Sequence, residues 1–411
     1  MYEQNFTAAG RRVLISGASI AGPSLALWLS RYGYEVTVVE KAPTLRGGGF
    51  AVDFRGHVHR TVLERMGIWD EVNRHQTHMG EQTFVDETGA EQMRLDPSFM
   101  SGDVEIFRGD LSRILYERTR DRVEYVFGDS ITSLTETADE VHVTFERSAP
   151  RTFDLVVGAD GLHSNVRRLA FGDESQFVRH LGYYVAGFDA PNHLGLDRTA
   201  RWFNAPGRGV CLNNYGVDPA RAGVLMVFES EQPLDYDRND LAAQKRLLAE
   251  RYAGLGWEVP QILTALEQTD ALYLDAIAQV RMDRFAKGRV VLLGDAGYGA
   301  TMGGMGTGLA VVCSYVLAGE LATHPDHKAA FAAYEARIRR FAEGCQKTAG
   351  GAGPMLAPST TARIRRRNRA YKLLNAPLLA GYLDRLTVKS ATAVELKAYP
   401  LPAPLAGPRA H

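Results

Sequence analysis

The stretch from residue 12 to residue 40 constrains the fold more than any other part of the 411-residue chain. A short apolar run at residues 13–15 is followed by a turn that contains Gly17 and Gly22, and a second apolar run ends at Glu40. This order predicts a strand, a glycine turn, a helix and a second strand. At the N-terminus of such a helix, backbone N–H groups bind phosphate. We therefore expect a Rossmann-like α/β unit that binds a dinucleotide.

Glu40 indicates which nucleotide the turn would bind. It lies about 20 residues beyond the turn, where a carboxylate accepts a hydrogen bond from a ribose 2′-hydroxyl, and a free 2′-hydroxyl favours FAD or NAD over NADP. Ser19 replaces the middle glycine of the G-x-G-x-x-G pattern and is still small enough for a pyrophosphate to approach. A glycine turn that binds nothing is the alternative, so other motifs must decide.

Composition and charge exclude several classes of function. The chain is 45% hydrophobic and 23% charged, which is ordinary for a soluble globular protein. A formal net charge of −1 gives no overall attraction to nucleic acid or to an anionic membrane, and it suits a small neutral ligand. We therefore interpret the basic run at residues 363–369 as a solvated helix face rather than a nucleic-acid site.

Targeting and metal signals are weak in this sequence. Residues 1–10 are polar and no stretch approaches about 18 uninterrupted apolar residues, so we expect a cytoplasmic protein with no membrane span. Cys211, Cys313 and Cys345 lie far apart, which predicts neither a disulfide framework nor a thiolate metal site. Four histidines lack a carboxylate at ligand spacing, and we expect no metal there: His57, His59, His75 and His78.

Two further glycine-containing turns follow apolar runs later in the chain. The run at residues 153–157 ends in Gly158-Ala159-Asp160-Gly161, and the run at residues 288–293 ends in Gly294-Asp295, with more glycines before an apolar helix at residues 309–321. Each turn suits ligand contact at the carboxyl edge of a parallel sheet. One half of a dinucleotide needs only one helix N-terminus that binds phosphate, and the sequence predicts two. This favours an extended dinucleotide held at both ends.

The region between the second and third turns alternates aromatic and β-branched runs with turns. It predicts a mostly antiparallel sheet at residues 177–280, joined by part of 78–108, that is either plain core or an apolar wall for a substrate. The dinucleotide-binding domain is expected at residues 11–176 and 281–345. Residues 346–411 are expected to form C-terminal helices and a loose tail.

Three local predictions concern the region before the second turn. The glycine-rich loop that begins at Arg46 is either a close approach to a flat ligand or a flexible loop. Asp110 is expected to cap the N-terminus of a helix. Apolar runs at residues 123–127, 141–145 and 153–157 predict an antiparallel insertion that returns to the main sheet.

The three turns occur in this order and at this spacing in the class A flavoprotein monooxygenases. Over residues 11–345 the chain resembles this para-hydroxybenzoate-hydroxylase-like family, which includes tetracycline-inactivating and polyketide-tailoring members. The resemblance implies an α/β fold: a Rossmann-like FAD-binding domain with an inserted, mostly antiparallel β-sheet substrate domain and C-terminal helices. It also implies FAD as cofactor, NADPH or NADH as reductant, and O2 as co-substrate.

The resemblance also implies the residues of the FAD site. The first glycine turn would hold the pyrophosphate, Glu40 would bind the adenosine ribose, and Asp295 would bind the ribityl and pyrophosphate region. Asp160 would belong to a turn associated with FAD and NAD(P)H, and residues 303–306 would lie against the isoalloxazine. The full set implied for FAD is Gly17, Ser19, Ile20, Ala21, Gly22, Glu40, Lys41, Arg46, Arg108, Asp160, Asp295, Gly303, Gly304, Met305 and Gly306.

The chain departs from the family after the third turn. Gly297 and Tyr298 replace the usual residues there, and no proline occurs before Pro325, whereas the family's proline lies beside the reactive edge of the flavin. The departure leaves open an FAD-dependent dehydrogenase or reductase that inserts no oxygen, and also a non-catalytic flavin- or ligand-binding protein. A simple NAD-dependent dehydrogenase would leave the second and third turns unexplained.

We expect an FAD-dependent monooxygenase that hydroxylates or oxidises an aromatic or polyketide-like small molecule. In such enzymes NAD(P)H reduces the flavin, and O2 adds at C4a to give the hydroperoxide that transfers oxygen to a nucleophilic carbon. Because the cofactor carries this chemistry, no catalytic side chain is predicted. The sequence does not specify an oligomeric state. Candidate substrate-lining residues are Trp202, Phe203, Leu212, Met226, Phe228 and Met302.

Overall fold

Two large β-sheets organise the chain, as a computed structural model shows for residues 10–45, 47, 49–95, 97, 101–302, 306–374 and 394–400. The strands are β1 (Arg12–Ser16), β2 (Glu35–Glu40), β3 (Ala51–Phe54), β4 (Gln82–Val85), β5 (Glu91–Leu95), β6 (Val104–Phe107), β7 (Glu124–Phe127), β8 (Ile131–Glu136), β9 (Val141–Phe145), β10 (Arg151–Phe153), β11 (Leu155–Gly158), β12 (Val178–Pro191), β13 (Thr199–Ala205), β14 (Arg208–Asn214), β15 (Arg221–Glu229), β16 (Tyr273–Val280), β17 (Ala286–Lys287) and β18 (Val290–Leu292). The helices are α1 (Ala21–Arg31), α2 (Gly56–Met66), α3 (Trp69–Arg74), α4 (Arg108–Glu117), α5 (Asn165–Ala170), α6 (Leu241–Tyr252), α7 (Val259–Gln268), α8 (Asp295–Tyr298), α9 (Gly306–Thr323), α10 (His327–Ala349), α11 (Ala352–Leu356) and α12 (Thr361–Leu374), with a short 3-10 helix at Glu174–Gln176.

The first sheet has the strand order β17-β18-β11-β1-β2-β7 and is parallel except at the β17-β18 edge. One of its faces packs against α1 and α9, and the other packs against α5 and a small antiparallel sheet of β8, β9 and β10. Burial on both faces explains why these strands read as continuous apolar runs. The strand, turn, helix and strand predicted for residues 12–40 are confirmed.

The second sheet has the order β16-β12-β15-β14-β13-β4-β5 and is antiparallel except where β13 pairs with β4. Helices α6 and α7 cover one face, and the other face carries a separate apolar cluster that includes residues of α11 and α12. The mixed architecture is the α/β fold with an inserted, mostly antiparallel sheet that the resemblance implied.

The antiparallel insertion predicted before the second turn is only partly present. The run at residues 123–127 is β7 of the parallel sheet, and most of the run at 153–157 is β11 of the same sheet. Of the three runs, only the one at 141–145, which is β9, lies wholly in the small antiparallel sheet, and Phe153 ends the strand β10 that pairs with it. Length and apolar content are similar for all three runs, so the sequence did not distinguish their sheets.

The prediction that Asp110 caps a helix is wrong. Helix α4 begins two residues earlier, at Arg108, whose backbone N–H donates to the carbonyl oxygen of Phe50 at 3.2 Å. The carboxylate of Asp110 instead accepts a hydrogen bond from Arg113 within the same helix at 3.1 Å. Its negative charge in the first turn of α4 still interacts favourably with the helix dipole.

Helix α9 runs through the core beside α1 and α10. Within the described residues it alone is long and apolar enough to cross a membrane by length and composition, but 83% of that stretch is buried inside the protein. A helix that is apolar on all sides and covered by protein is a core helix. We therefore assign α9 to the core.

The last described segment is held by contacts with the core, whereas the predicted loose tail lies, apart from Pro400, outside the described residues. Residues 394–400 pack on α9, where a Cβ atom at Gly319 would lie 2.3 Å from the ring of Tyr399. The Tyr399 hydroxyl donates to the buried carboxylate of Glu320 at 2.6 Å. In α12 most of the basic run is exposed as predicted, but Arg367 is half-buried and lies 4.5 Å above the ring of Phe84.

Candidate functional site

The carboxyl ends of four neighbouring strands meet at one edge of the parallel sheet. Backbone hydrogen bonds of 2.8 Å tie the end of β1 to β2, the end of β11 to β1, and the end of β18 to β11. The three glycine-containing turns of the sequence therefore lie side by side. Parallel α/β sheets bind ligands at this edge.

The first turn depends on two glycines. Gly17 has a φ of +108°, and a Cβ atom there would lie 2.4 Å from the carbonyl oxygen of Ala159 in the second turn. A Cβ atom at Gly22 would lie 1.9 Å from the carbonyl oxygen of Gly17. Glycine is thus required at both positions, once for close approach of two turns and once for closure of the first.

The N-terminus of α1 is open to an anion. Its N-cap residue, Ile20, makes no side-chain cap hydrogen bond, and the first turn contains no acidic residue. The first N–H groups of a helix have no partner within the helix, and the helix dipole favours negative charge there. This end can hold a phosphate group.

Ser19 is held by a residue far away in sequence. Its hydroxyl accepts hydrogen bonds from Nε and Nη2 of Arg108 at 3.1 and 3.0 Å. Its carbonyl oxygen accepts a hydrogen bond from the hydroxyl of Ser112 at 2.9 Å. The start of α4 is therefore fixed over the first turn, and it brings an exposed guanidinium to the phosphate-binding end of α1.

Glu40 ends β2 next to the same turn. Its carboxylate accepts backbone hydrogen bonds from Ala18 and Ala42, each at 2.9 Å. The side chain is half-buried, whereas the neighbouring Lys41 is exposed. The two backbone donors orient the carboxylate at the strand end, where a ribose would lie in a dinucleotide site.

Asp160 organises the second turn. Its carboxylate accepts hydrogen bonds from the hydroxyls of Ser16 and Ser164 and from the backbone N–H of Val166. Burial raises the pKa of Asp160, and these hydrogen bonds oppose that rise. Ser164 also caps α5 by accepting from the backbone N–H of Arg167 at 3.0 Å. The carboxylate is thus turned into the protein, where it fixes the turn.

Asp295 opens the third turn and is exposed, as are Arg108, Phe50 and Tyr273, and we call the region that these four residues border the cleft. Gly294 before it has a φ of +65°, and a Cβ atom there would lie 3.2 Å from Cβ of Ala21. The Asp295 side chain is accessible, yet the protein around it raises the pKa of its carboxyl while the positive charge of Arg108 lowers it. In the described part of the chain we see no hydrogen bond to this carboxylate. It is available to a ligand in the cleft.

Comparison with known proteins identifies the nucleotide. A family model described as an FAD binding domain matches residues 11–349. The chain belongs to this FAD-binding family. The match spans all three turns and the antiparallel sheet between the second and the third.

Relatives of this flavoprotein identify its class. An uncharacterised protein of Mycobacterium tuberculosis is 43% identical over 341 residues, which cover 81% of this chain and 91% of that protein. A flavin-dependent monooxygenase from an unknown prokaryotic organism is 39% identical over 341 residues, covering 82% and 88%. The crystal structure of tetracycline destructase Tet(55) matches with a TM-score of 0.82 at 36% identity, covering 95% of this chain and 99% of that one. The chain is a class A FAD-dependent monooxygenase.

The residues at the sheet edge fit FAD. The uncapped end of α1 suits the pyrophosphate, Glu40 suits the ribose, and the available carboxylate of Asp295 suits polar hydrogens further along the cofactor. A Cβ atom at Gly306, the first residue of α9, would lie 3.6 Å from Asp295 Oδ1, so this helix end reaches the same cleft. The implied FAD residues Arg46, Gly303, Gly304 and Met305 lie outside the described residues.

The second sheet presents an aromatic and apolar face to the flavoprotein's cleft. Tyr215, Leu225 and Met302 are partly buried there and pack against the cluster that contains Trp202. The ring of Tyr215 meets the ring of Phe107 edge to face at 4.8 Å. Because Phe107 directly precedes Arg108, this face lies beside the residues that fit FAD.

Four predicted substrate-lining residues lie on the opposite face. Their side chains are buried in the core between the sheet and helices α6 and α7, apart from the cluster that holds Trp202 and Met302. Successive residues of a strand point to opposite faces, so the neighbours Trp202 and Phe203 cannot share a wall. We correct the prediction for Phe203, Leu212, Met226 and Phe228, which are core residues.

Sequence reasoning missed an aromatic pair at the cleft. Phe50 and Tyr273 are 39% and 43% exposed although their rings meet edge to face at 5.5 Å. Phe50 reaches across to the second sheet because Gly187 leaves room: a Cβ atom there would lie 2.5 Å from the ring of Phe50. The backbone N–H of Arg108 donates to the carbonyl oxygen of Phe50 at 3.2 Å, so the pair of Phe50 and Tyr273 lies beside Arg108. The only sequence signal was a phenylalanine after three glycines.

Tyr298, which departs from the family pattern, lies in the core. It is fully buried, and its hydroxyl lies 2.7 Å from that of Tyr334, which donates to the carbonyl oxygen of Leu292 at 3.2 Å. The replacement therefore changes packing between α8 and α10, away from the cleft. Elsewhere in the described ranges, no group of three or more His, Cys, Asp or Glu side chains is arranged to hold a metal ion.

Proposed function

We propose that this FAD-dependent monooxygenase uses NADPH or NADH and O2 to hydroxylate or oxidise an aromatic or polyketide-like small molecule. Overall, one oxygen atom enters the substrate, the other leaves as water, and the nicotinamide is oxidised. FAD supplies the electron-transfer and oxygen-activation chemistry. The observation that carries the proposal is the position of two exposed charged side chains, Asp295 and Arg108, at the edge of the parallel sheet. Arg108 adjoins Phe50, whose ring contacts Tyr273 and the second sheet at Gly187.

The cleft supports a flat, largely apolar substrate. Tyr215, Leu225 and Met302 offer aromatic and aliphatic surface that is only partly buried by the protein itself. Ligand sites are mostly apolar with a few polar groups that set orientation. Tet(55), 36% identical over nearly the whole chain, is named for action on tetracycline, which favours a polycyclic polyketide-like substrate for this chain as well.

We assign roles to the cofactor-binding residues on the same basis. Backbone N–H groups of residues 19–22 bind the pyrophosphate, and Glu40 binds the adenosine ribose. Arg108 neutralises phosphate charge while it holds Ser19, and Asp295 binds the ribityl hydroxyls. Residues 11–176 and 281–345 act as the FAD-binding domain, and residues 177–280 with part of 78–108 act as the substrate domain.

The test is oxygen incorporation. The purified holoenzyme is supplied with NADPH or NADH, ¹⁸O2 and a panel of phenols and aromatic polyketides that includes a tetracycline. The proposal predicts a product that contains one ¹⁸O atom per nicotinamide consumed. Nicotinamide oxidation coupled to an unlabelled, reduced product would instead identify an FAD-dependent reductase, and an unlabelled, dehydrogenated product formed without nicotinamide consumption would identify an FAD-dependent dehydrogenase.

A further inference from the structure

His163 lies between two carboxylates from different parts of the chain. Its Nδ1 atom is 2.9 Å from Glu174 Oε1, and its Nε2 atom is 3.0 Å from Asp275 Oδ2. The side chain is half-buried. Both ring nitrogens therefore face hydrogen-bond acceptors.

This geometry requires a protonated ring. A neutral imidazole has one N–H donor and one lone pair, whereas a carboxylate only accepts hydrogen bonds. If His163 lost this proton, one ring nitrogen would carry a lone pair that faces a carboxylate. The hydrogen bond at that nitrogen would then be lost. Only the imidazolium satisfies Glu174 and Asp275 together.

The three residues join the second sheet to the edge of the parallel sheet that carries the three glycine-containing turns, which we call the FAD edge. His163 lies in the turn after β11, three residues beyond Asp160 and next to Ser164, which bonds the Asp160 carboxylate. Glu174 belongs to the 3-10 helix that leads into β12, and Asp275 belongs to β16. Strands β12 and β16 pair with each other and connect the second sheet to the rest of the chain. Asp275 is also two residues from Tyr273 in the cleft.

Other charged groups surround the cluster without replacing either hydrogen bond. Arg167 of α5 lies 3.4 Å from Glu174 and Arg238 lies 3.7 Å from it, and both reach the same carboxylate as His163. Burial lowers the pKa of His163, but the hydrogen bonds and charges of Asp275 and Glu174 raise it overall to about 8. The ionisable groups that face the cluster are Asp160, Arg167, Tyr236, Arg238 and Tyr273.

We propose that His163 is a positioning residue which, as an imidazolium, fixes the turn of Asp160 to strands β12 and β16 and so holds the FAD edge against the substrate sheet. The inference rests on the proposed role of the Asp160 turn at FAD. Deprotonation breaks one of the two ties, so the turn and the sheet separate more readily and FAD affinity falls. Because the native pKa is raised from 6.5, the stabilisation is complete below about pH 6.5 and is lost as pH rises through about 8.

The test is the pH dependence of FAD binding to the apoprotein, followed by flavin fluorescence from about pH 6.5 to about pH 9. If FAD binding raises the pKa of His163 from about 8 by about one, Kd rises about fivefold over this range. In His163→Gln the side chain cannot titrate, so the rise should be absent. His193→Gln is the matched control. Nε2 of His193 lies 2.7 Å from Glu258 Oε2, and the side chain has the same 28% exposure as that of His163. Both residues of this control pair belong to the region of the second sheet.

Two further readouts separate positioning from general stability. The pKa of His163, assigned by NMR from its loss in His163→Gln, should be higher in the FAD complex than in the apoprotein. With a substrate that the enzyme turns over, KM and kcat are measured against pH. The change of KM at alkaline pH should be reduced in His163→Gln more than the change of kcat. A flat FAD Kd in the wild type, or the same alkaline rise in His163→Gln, overturns the inference. Absence of FAD binding already at pH 6.5 would instead refute the proposed function.

Discussion

The guanidinium of Arg108 donates two hydrogen bonds, of 3.1 and 3.0 Å, to the hydroxyl of Ser19 in the first glycine turn. Ser19 is the position at which the sequence departs from the usual glycine pattern, and the contact explains the departure. The serine ties α4 to the phosphate-binding end of α1 and sets an arginine where negative charge is expected. Glycine could not provide this acceptor.

Replacing Ser19 with glycine should weaken FAD binding although it restores the usual pattern. The variant loses both hydrogen bonds from a charged group, which are worth about 1.5 kcal/mol or more, so Kd for FAD should rise at least about tenfold. Equilibrium titration of the apoprotein with FAD measures the change. Ser30→Ala is the control, because that hydroxyl donates only to Leu27 within α1. Tighter binding in Ser19→Gly would show that the contact with Arg108 is dispensable.

Glu40→Gln should release FAD. The carboxylate has backbone partners at both oxygens, and an amide can accept at only one of them. With the charged acceptor for the ribose also gone, we expect Kd to rise at least about tenfold. Glu35→Gln, at the exposed start of the same strand, should leave FAD occupancy unchanged. Full FAD occupancy in purified Glu40→Gln would refute the assignment of Glu40.

Gly17→Ala should destabilise the protein and abolish FAD retention. The new Cβ atom would lie 2.4 Å from the Ala159 carbonyl oxygen, and the φ of +108° is strained for alanine, so we expect a loss of about 2 kcal/mol or more. Urea unfolding and the visible spectrum measure both effects. Gly344→Ala in α10 is the control, since a Cβ atom there has no heavy atom within 4 Å. Normal stability of Gly17→Ala would contradict the close approach of the first two turns.

Leu225→Ala and Met226→Ala should separate substrate binding from core packing. Leu225 is half-buried on the cleft face, and truncation should raise KM for the substrate about fivefold with a small loss of stability. Met226 is fully buried under α6 and α7, and truncation should cost about 2–5 kcal/mol of stability and leave KM unchanged. Steady-state kinetics and thermal unfolding distinguish the two. The reverse pattern would place the substrate on the other face of the sheet.

Local patterns in the sequence were sufficient for the FAD edge. The apolar runs and glycine turns around Gly17, Asp160 and Gly294 set strand ends by short-range rules, and parallel strands bring their carboxyl ends to one edge. The facing of the antiparallel strands was not predictable in this way. Trp202 and Phe203 are adjacent and equally apolar, and only the positions of α6 and α7 decide that Phe203 packs under these helices while Trp202 is buried in the cluster on the other face.

Contacts between distant segments were also beyond sequence reasoning. Arg108 meets Ser19 across 89 positions of the chain, and His163 meets Asp275 across 112. The contact of Phe50 with the second sheet could not be predicted for a different reason, because it depends on the absence of a side chain at Gly187. Such pairings follow from the packing of the two sheets rather than from any local period.

The visible spectrum of the purified protein tests the central claim most directly, recorded before and after anaerobic NADPH or NADH and again after air, with the released nucleotide identified. We predict flavin bands that bleach with the nicotinamide and return with O2, and FAD as the nucleotide released on denaturation. A colourless protein that cannot be reconstituted with FAD, or bound flavin that neither nicotinamide reduces in the presence of any ligand tested, would contradict the account.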